Sequence, residues 1–101
     1  MKDLLKELDK AFENKIRLGI MSALVVNDHL DFNSLKDLLD VTDGNLASHL
    51  KNLEKCGYVT FRKEFVNRKP RTRYYATSGG REAFSRHLQV IEQLLKVNNK
   101  P

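Results

Sequence analysis

Apolar residues recur along the first half of the chain at the spacing of one helix face, and further on that spacing changes. Leu4, Leu5, Leu8 and Phe12, separated by Lys and Glu, predict a short amphipathic helix over residues 2–13. Asn14 is a good N-cap for a second helix, whose apolar stripe is Ile16, Ile20, Met21 and Leu24 and which should end at 26–28. A short extended piece, Leu30-Asp31-Phe32, follows; Asn33 then stands where it can cap a third helix of about two turns holding Leu35, Leu38 and Leu39. Thr42 is the next cap, for a fourth helix over 43–55 with Leu46, Leu50 and Leu53 facing inward and Gly57 as its left-handed terminator.

Beyond Gly57 the period drops from helical to two. Val59, Phe61 and Phe65 alternate with Tyr58, Thr60, Arg62 and Glu64, which predicts a strand. Val66-Asn67-Arg68-Lys69-Pro70 has turn chemistry: Asn67 tolerates left-handed dihedrals, and Pro70 is expected to stay out of a ladder and to stiffen the tip. Thr72–Ala76 reads as a second strand, so the two form a hairpin. Thr77 caps a last helix over 78–97 with Phe84, Leu88, Ile91 and Leu95 on its stripe, widened by His87, Val90 and Leu94. The expected order is α-α-α-α-β-β-α, mainly α with a β-hairpin. Two short helices joined by a tight turn and followed at once by a hairpin make a winged helix-turn-helix.

Charge sharpens this picture. The chain has 101 residues and a net charge of +5. The twelve residues 62–73 carry six cations (Arg62, Lys63, Arg68, Lys69, Arg71 and Arg73) against Glu64 alone, while residues 1–61 are slightly acidic. The excess therefore sits on the wing, which suggests a polyanionic partner. The fourth helix fits a major groove, which admits one α-helix. Opposite its leucines it presents Gly44, Ser48, Lys51 and Lys55, flanked by Asn45, Ala47 and Asn52, with no carboxylate among them. Arg68 and Lys69 at the tip can reach phosphates or the minor groove, with Arg62, Lys63, Arg71 and Arg73 along the strands. Four to six such contacts would give log K against log salt a slope of roughly −4 to −5 per protomer. Tyr74 and Tyr75 alternate in facing, so one packs inward and the other is free for the sugar-phosphate backbone.

Leu35-x-x-Leu-Leu, the run Thr42-Asp-Gly-Asn-Leu-Ala-Ser-His-Leu-Lys-Asn-Leu-Glu-Lys-Cys-Gly-Tyr-Val, Arg68-Lys-Pro-Arg-Thr-Arg-Tyr and Thr77-Ser-Gly-Gly-Arg-Glu-Ala-Phe together resemble small winged-helix transcriptional regulators related to the MarR and ArsR families. The resemblance covers about residues 14–97. It implies a homodimer that binds operator DNA, with Asn45, Ser48, His49, Lys51 and Asn52 in recognition and Arg68, Lys69 and Arg71 in the wing. By helical geometry His49 lies nearer the core boundary than Ser48 does. Asn67 stands where related sequences often have Gly.

Two-fold symmetry would double a small contact surface onto paired half-sites, so a pseudo-palindromic operator is expected. The terminal helices, 2–13 and 78–97, are the surplus elements, and the expected dimer interface is Leu4, Leu5, Leu8, Phe12, Phe84, His87, Leu88, Ile91, Leu94 and Leu95. The chain reads as one domain over 1–101.

Other chemistries find little footing. Cys56 is the lone cysteine and His29, His49 and His87 lie on different elements, so no metal site or cofactor is expected. A helix C-terminus raises a thiol's pKa rather than activating it, so Cys56 is expected as a small buried residue and not as a redox switch. Ser48 and His49 point about 100° apart on a helix and cannot pair as nucleophile and base, so no enzyme is expected. The longest apolar run, Ala23-Leu24-Val25-Val26, is too short to span a bilayer, and the start has no apolar secretory segment. A reducing cytoplasm is the expected compartment. The function expected is a sequence-specific DNA-binding transcriptional regulator. The alternative is a winged helix serving protein interaction or non-specific nucleic-acid binding within a larger assembly.

Overall fold

Most helices of this chain start where a short polar side chain takes up a free backbone N–H, and those caps set the element boundaries. In the computed structural model, which describes residues 1–99, the order is α1 (Lys2–Lys6), a 3-10 turn (Lys10–Phe12), α2 (Lys15–Val25), β1 (Leu30–Asp31), α3 (Phe32–Leu39), α4 (Asp43–Lys55), β2 (Val59–Val66), β3 (Lys69–Ala76) and α5 (Ser78–Asn98). The last two positions of the domain predicted over 1–101 lie outside the described residues. Asn14, Thr42 and Thr77 cap α2, α4 and α5 as expected. Gly57 is left-handed at φ 78°.

Three expectations are corrected. The helix predicted over 2–13 is broken into α1 and the 3-10 turn, because Asp9 is spent on other bonds. Its side chain accepts from the Ala11 N–H, its backbone N–H donates to His87 Nδ1 at 3.1 Å, and its Oδ2 accepts from the Tyr58 hydroxyl at 2.5 Å. The cap of α3 is Asp31 rather than Asn33: Asp31 accepts the Ser34 N–H at 2.7 Å from an extended backbone, and Asn33 is inside the helix. The extended piece is a strand, β1, that pairs with β3 through Leu30↔Tyr74 and Asp31↔Arg73, so the sheet has three antiparallel strands in the order β1-β3-β2.

Ile20, Met21, Leu24, Leu35, Leu46, Leu50 and Leu53 are fully buried and bind α2, α3 and α4 together. Each contributes roughly 1.5–3 kcal/mol relative to exposure. The same core extends to α5 through Phe12, Ala83 and Phe84. Phe12 stacks on Tyr58 at 5.4 Å and meets Phe84 edge-on at 5.2 Å. The Asp9 hydrogen bond pushes the Tyr58 hydroxyl up to about 12, helped by burial. The start of α5 lies so close to the exit of α4 that a Cβ on Gly80 would stand 2.1 Å from the Tyr58 carbonyl oxygen. Only glycine permits that approach. Helices α4 and α5 are thereby locked to one another.

Candidate nucleic-acid interface

Helix α4 is placed by its buried side and by its first turn. Leu46, Leu50 and Leu53 are at most 1% exposed. Thr42 Oγ1 accepts the Asn45 N–H at 3.2 Å, and Asp43 pairs with Lys36 at 2.8 Å, which raises the lysine's pKa. On the other side, Gly44, Asn45, Ser48, Lys51, Asn52 and Lys55 are exposed. The side chains of Asn45, Ser48 and Lys51 make no hydrogen bond or ion pair among the described residues. No atom lies within 4 Å of where a Cβ on Gly44 would stand.

His49 is half-buried at the edge of this face, as its place on the helix wheel suggested. Its Nδ1 faces Arg17 Nη1 at 3.2 Å, and Arg17 Nε donates to the Ala11 carbonyl at 2.7 Å. Burial and then the Arg17 charge hold His49 below the usual histidine range. A guanidinium only donates, so Nδ1 is the acceptor and the free proton sits on Nε2. A hollow of about 270 Å³ is lined by Arg17, Ser48, His49, Lys51, Asn52 and Lys55. Three cations around a shallow polar hollow suit an oxyanion. Arg17 is the member the sequence did not single out, since it joins α4 from 32 residues away.

The wing is sorted by register. Facing pairs share one side of an antiparallel ladder, so Thr60/Tyr75, Arg62/Arg73, Glu64/Arg71 and Val66/Lys69 lie on one face. Val59/Ala76, Phe61/Tyr74, Lys63/Thr72 and Phe65/Pro70 lie on the other. Four of the six wing cations thus fall on a single side. Arg73 pairs with Glu64 at 3.2 Å, Arg71 with Asp31 at 3.6 Å, and the Arg62 guanidinium lies 5.6 Å over the Tyr75 ring. The Ser34 N–H and hydroxyl, with the Arg71 and Arg73 charges, hold the Asp31 carboxyl below its ordinary range. Lys63, Arg68 and Lys69 have no such partner among the described residues. Tyr74 is the inward ring, packed near Phe32 and Phe61, and burial raises its hydroxyl. Tyr75 takes the basic face.

The tip turns through two left-handed residues, Asn67 at φ 53° and Arg68 at φ 64°, the signature of a two-residue hairpin turn of type I′. The sequence pointed only to Asn67. Pro70 does join the ladder, opposite Phe65. In such a hairpin the pair beside the turn, Val66/Lys69, is hydrogen-bonded and the next is not, so the missing N–H of Pro70 costs nothing.

Of the expected dimer residues, Phe12, Phe84 and His87 are buried within the protomer. Leu4, Leu8 and Leu94 are half-buried, and Leu5, Leu88, Ile91 and Leu95 are exposed, the last at 67%. No residue of α5 beyond Val90 is buried, so its last two turns run past the protomer core. Cys56 is exposed, against expectation: it caps α4 at the flank beside Asn52, with Sγ 4.0 Å from Asn52 Oδ1, rather than behind the leucines. Among the described residues no group of three His, Cys, Asp or Glu could hold a metal ion, and no helix is long and apolar enough to cross a membrane.

The sequence profile of a winged helix DNA-binding domain matches residues 16–95. An uncharacterized protein of Methanocaldococcus jannaschii is 39% identical over 87 residues, covering 86% of this chain and 95% of that one. The structure of a transcriptional regulator homologue from Pyrococcus horikoshii superposes with a TM-score of 0.88 at 32% identity, covering 99% of this chain and all of the other. Staphylococcus aureus MepR, solved in complex with DNA, shares the fold at a TM-score of 0.76 and 16% identity, over 96% of this chain and 80% of its own.

Proposed function

Because this chain belongs to the winged helix DNA-binding domain family, and is related in fold to the MarR regulators, we propose that it is a homodimeric, sequence-specific transcriptional regulator. Helix α4 enters the major groove, with Gly44, Asn45, Ser48, His49, Lys51 and Asn52 toward the bases and nearby phosphates. The wing holds the adjacent backbone and minor groove through Arg62, Lys63, Arg68, Lys69, Arg71 and Arg73. The observation that carries this reading is the exposed, carboxylate-free outer side of α4, whose Asn45, Ser48 and Lys51 are uncommitted. Leu5, Leu88, Ile91 and Leu95 support pairing of two protomers through α1 and α5, onto a pseudo-palindromic duplex.

Selection of bound oligonucleotides from a random pool tests this directly. One pseudo-palindrome should emerge, preferred over bulk DNA by roughly 10³ or more. Replacing Arg68 and Lys69 by Ala should weaken binding to every sequence alike and lower the salt slope by about two per protomer. A pool that yields no motif, or a species that sediments as a monomer at micromolar concentration, would sink the reading.

A further inference from the structure

The wing carries a feature that charge does not explain. Phe65, one pair short of the turn, is 81% exposed, and its ladder partner Pro70 is exposed too. Both lie on the face opposite the one that gathers Arg62, Lys69, Arg71 and Arg73. Phe65 lies six positions along the strand from buried Val59, about 20 Å at strand rise, so the protomer's core does not reach it. The tip is stiff: a two-residue turn closes it and Pro70 fixes its own φ. The ring shares its face with one cation, Lys63, two positions away; Arg68 stands in the turn, and Lys69 beside it belongs to the opposite face. Its nearest carboxylate in sequence, Glu64, points to the other face and is paired with Arg73.

An apolar ring near the tip of a basic hairpin, with no acid on its own face, complements a surface that is apolar within and anionic at both rims. The minor groove is such a surface, with sugar walls between two rows of phosphates and a width of about 6 Å. We propose that Phe65, backed by Pro70, is a minor-groove wedge that makes this protein select a deformable base step beneath each wing. A side chain of this kind partly unstacks the step it enters, and pyrimidine–purine steps yield most easily while A-tracts resist. The choice of step would then depend on a residue that makes no hydrogen bond to a base. This rests on the wing meeting DNA, as proposed above, and the test separates the two.

The probes are duplexes of about 30 bp carrying the motif recovered by selection, identical except that the wing step is TA in one and part of an A-tract in the other. Wild type should bind the TA duplex about 10-fold more tightly. Phe65→Ala should lose that preference, about 10-fold on TA and little on the A-tract, with an unchanged salt slope and melting temperature. Phe65→Leu, still able to wedge, should keep most of the preference. Fluorescence of 2-aminopurine placed at the step should rise with wild type and not with Phe65→Ala. If Phe65→Ala binds both duplexes like wild type while the Arg68→Ala, Lys69→Ala variant binds weakly, the wedge is overturned and the charged wing stands. If Phe65→Ala instead changes the sedimenting species, the ring belongs to a contact between copies and the proposal also falls. Failure of wild type to bind any duplex would remove both readings.

Discussion

Helix α4 and the hairpin after it are neighbours in sequence and opposites in construction. The helix rests on three side chains that are at most 1% exposed, and its exit is fastened to α5 by the contact of Tyr58 with Gly80. The hairpin is fully buried only at its root, Val59; β1 backs β3 as far out as Arg73, and beyond that pair the hairpin rests mainly on its own ladder. The charges divide the same way. The outer side of α4 mixes neutral polar groups with Lys51 and Lys55 and is largely uncommitted, whereas the wing is denser in cations, three of which are already engaged by Glu64, Asp31 and Tyr75. A rigidly seated element can hold a few polar groups to the geometry that base edges require. A ladder standing in solvent holds charge, which needs less accuracy to meet a phosphate. On the proposed function, the comparison predicts that discrimination and grip are separable, and each substitution below presses on one of them.

The largest effect should come from the seat of the helix. Leu50→Ala is expected to cost about 2–5 kcal/mol of stability, read from the urea midpoint, because a buried leucine leaves a cavity. Lys63→Ala on the wing should stay within about 0.5 kcal/mol. Equal losses would break the contrast. Next in size is the knot behind the helix. Tyr58 ionises near 12 in the folded protein against an ordinary 10, so the folded state keeps the proton longer than the unfolded one. The Tyr58 contribution to stability should therefore be intact below pH 10 and be lost as pH rises from 10 through about 12, and Tyr58→Phe should make the alkaline fall shallower, leaving the part due to Tyr74 and Lys36. Asn45→Ala should then relax preference at one base pair by about 1–3 kcal/mol, measured by competition, without altering the salt slope. A changed slope would mean that Asn45 serves the backbone instead.

What the sequence made legible was local. The bounds of α4 follow from Thr42, three spaced leucines and Gly57, all within 16 residues, and the hairpin from a change of period around Asn67. What escaped depends on meetings across the chain. Asp9 looks like one more polar residue in an amphipathic helix until His87, 78 positions on, and Tyr58, 49 on, take its backbone and carboxylate. Asp31 and Asn33 are equally good caps by type, and the pairing of Asp31 with Arg73 in the sheet decides between them. The six wing cations could be counted from the sequence, but cross-strand register, not composition, determines which three are engaged. Arg17 carries no signal of its own, because only folding lays it beside His49.

Gly44 gives the smallest change and the finest test of the division. It lies in the first turn of α4, with a helical neighbourhood and open space where a Cβ would go. Alanine there loses less entropy on folding, so Gly44→Ala should stabilise the free protein by about 0.4–1 kcal/mol. A glycine that is suboptimal for the fold yet sits on the face assigned to the groove has a use if the backbone itself comes close to DNA. The same substitution should then weaken binding to the selected duplex while binding to bulk DNA, governed by the wing, holds steady. Stability and affinity would move in opposite directions from one added methyl group. If affinity for the selected duplex rises with stability instead, this turn of α4 stands away from the bases, and discrimination has to come from Ser48, Lys51 and Asn52 further along the helix.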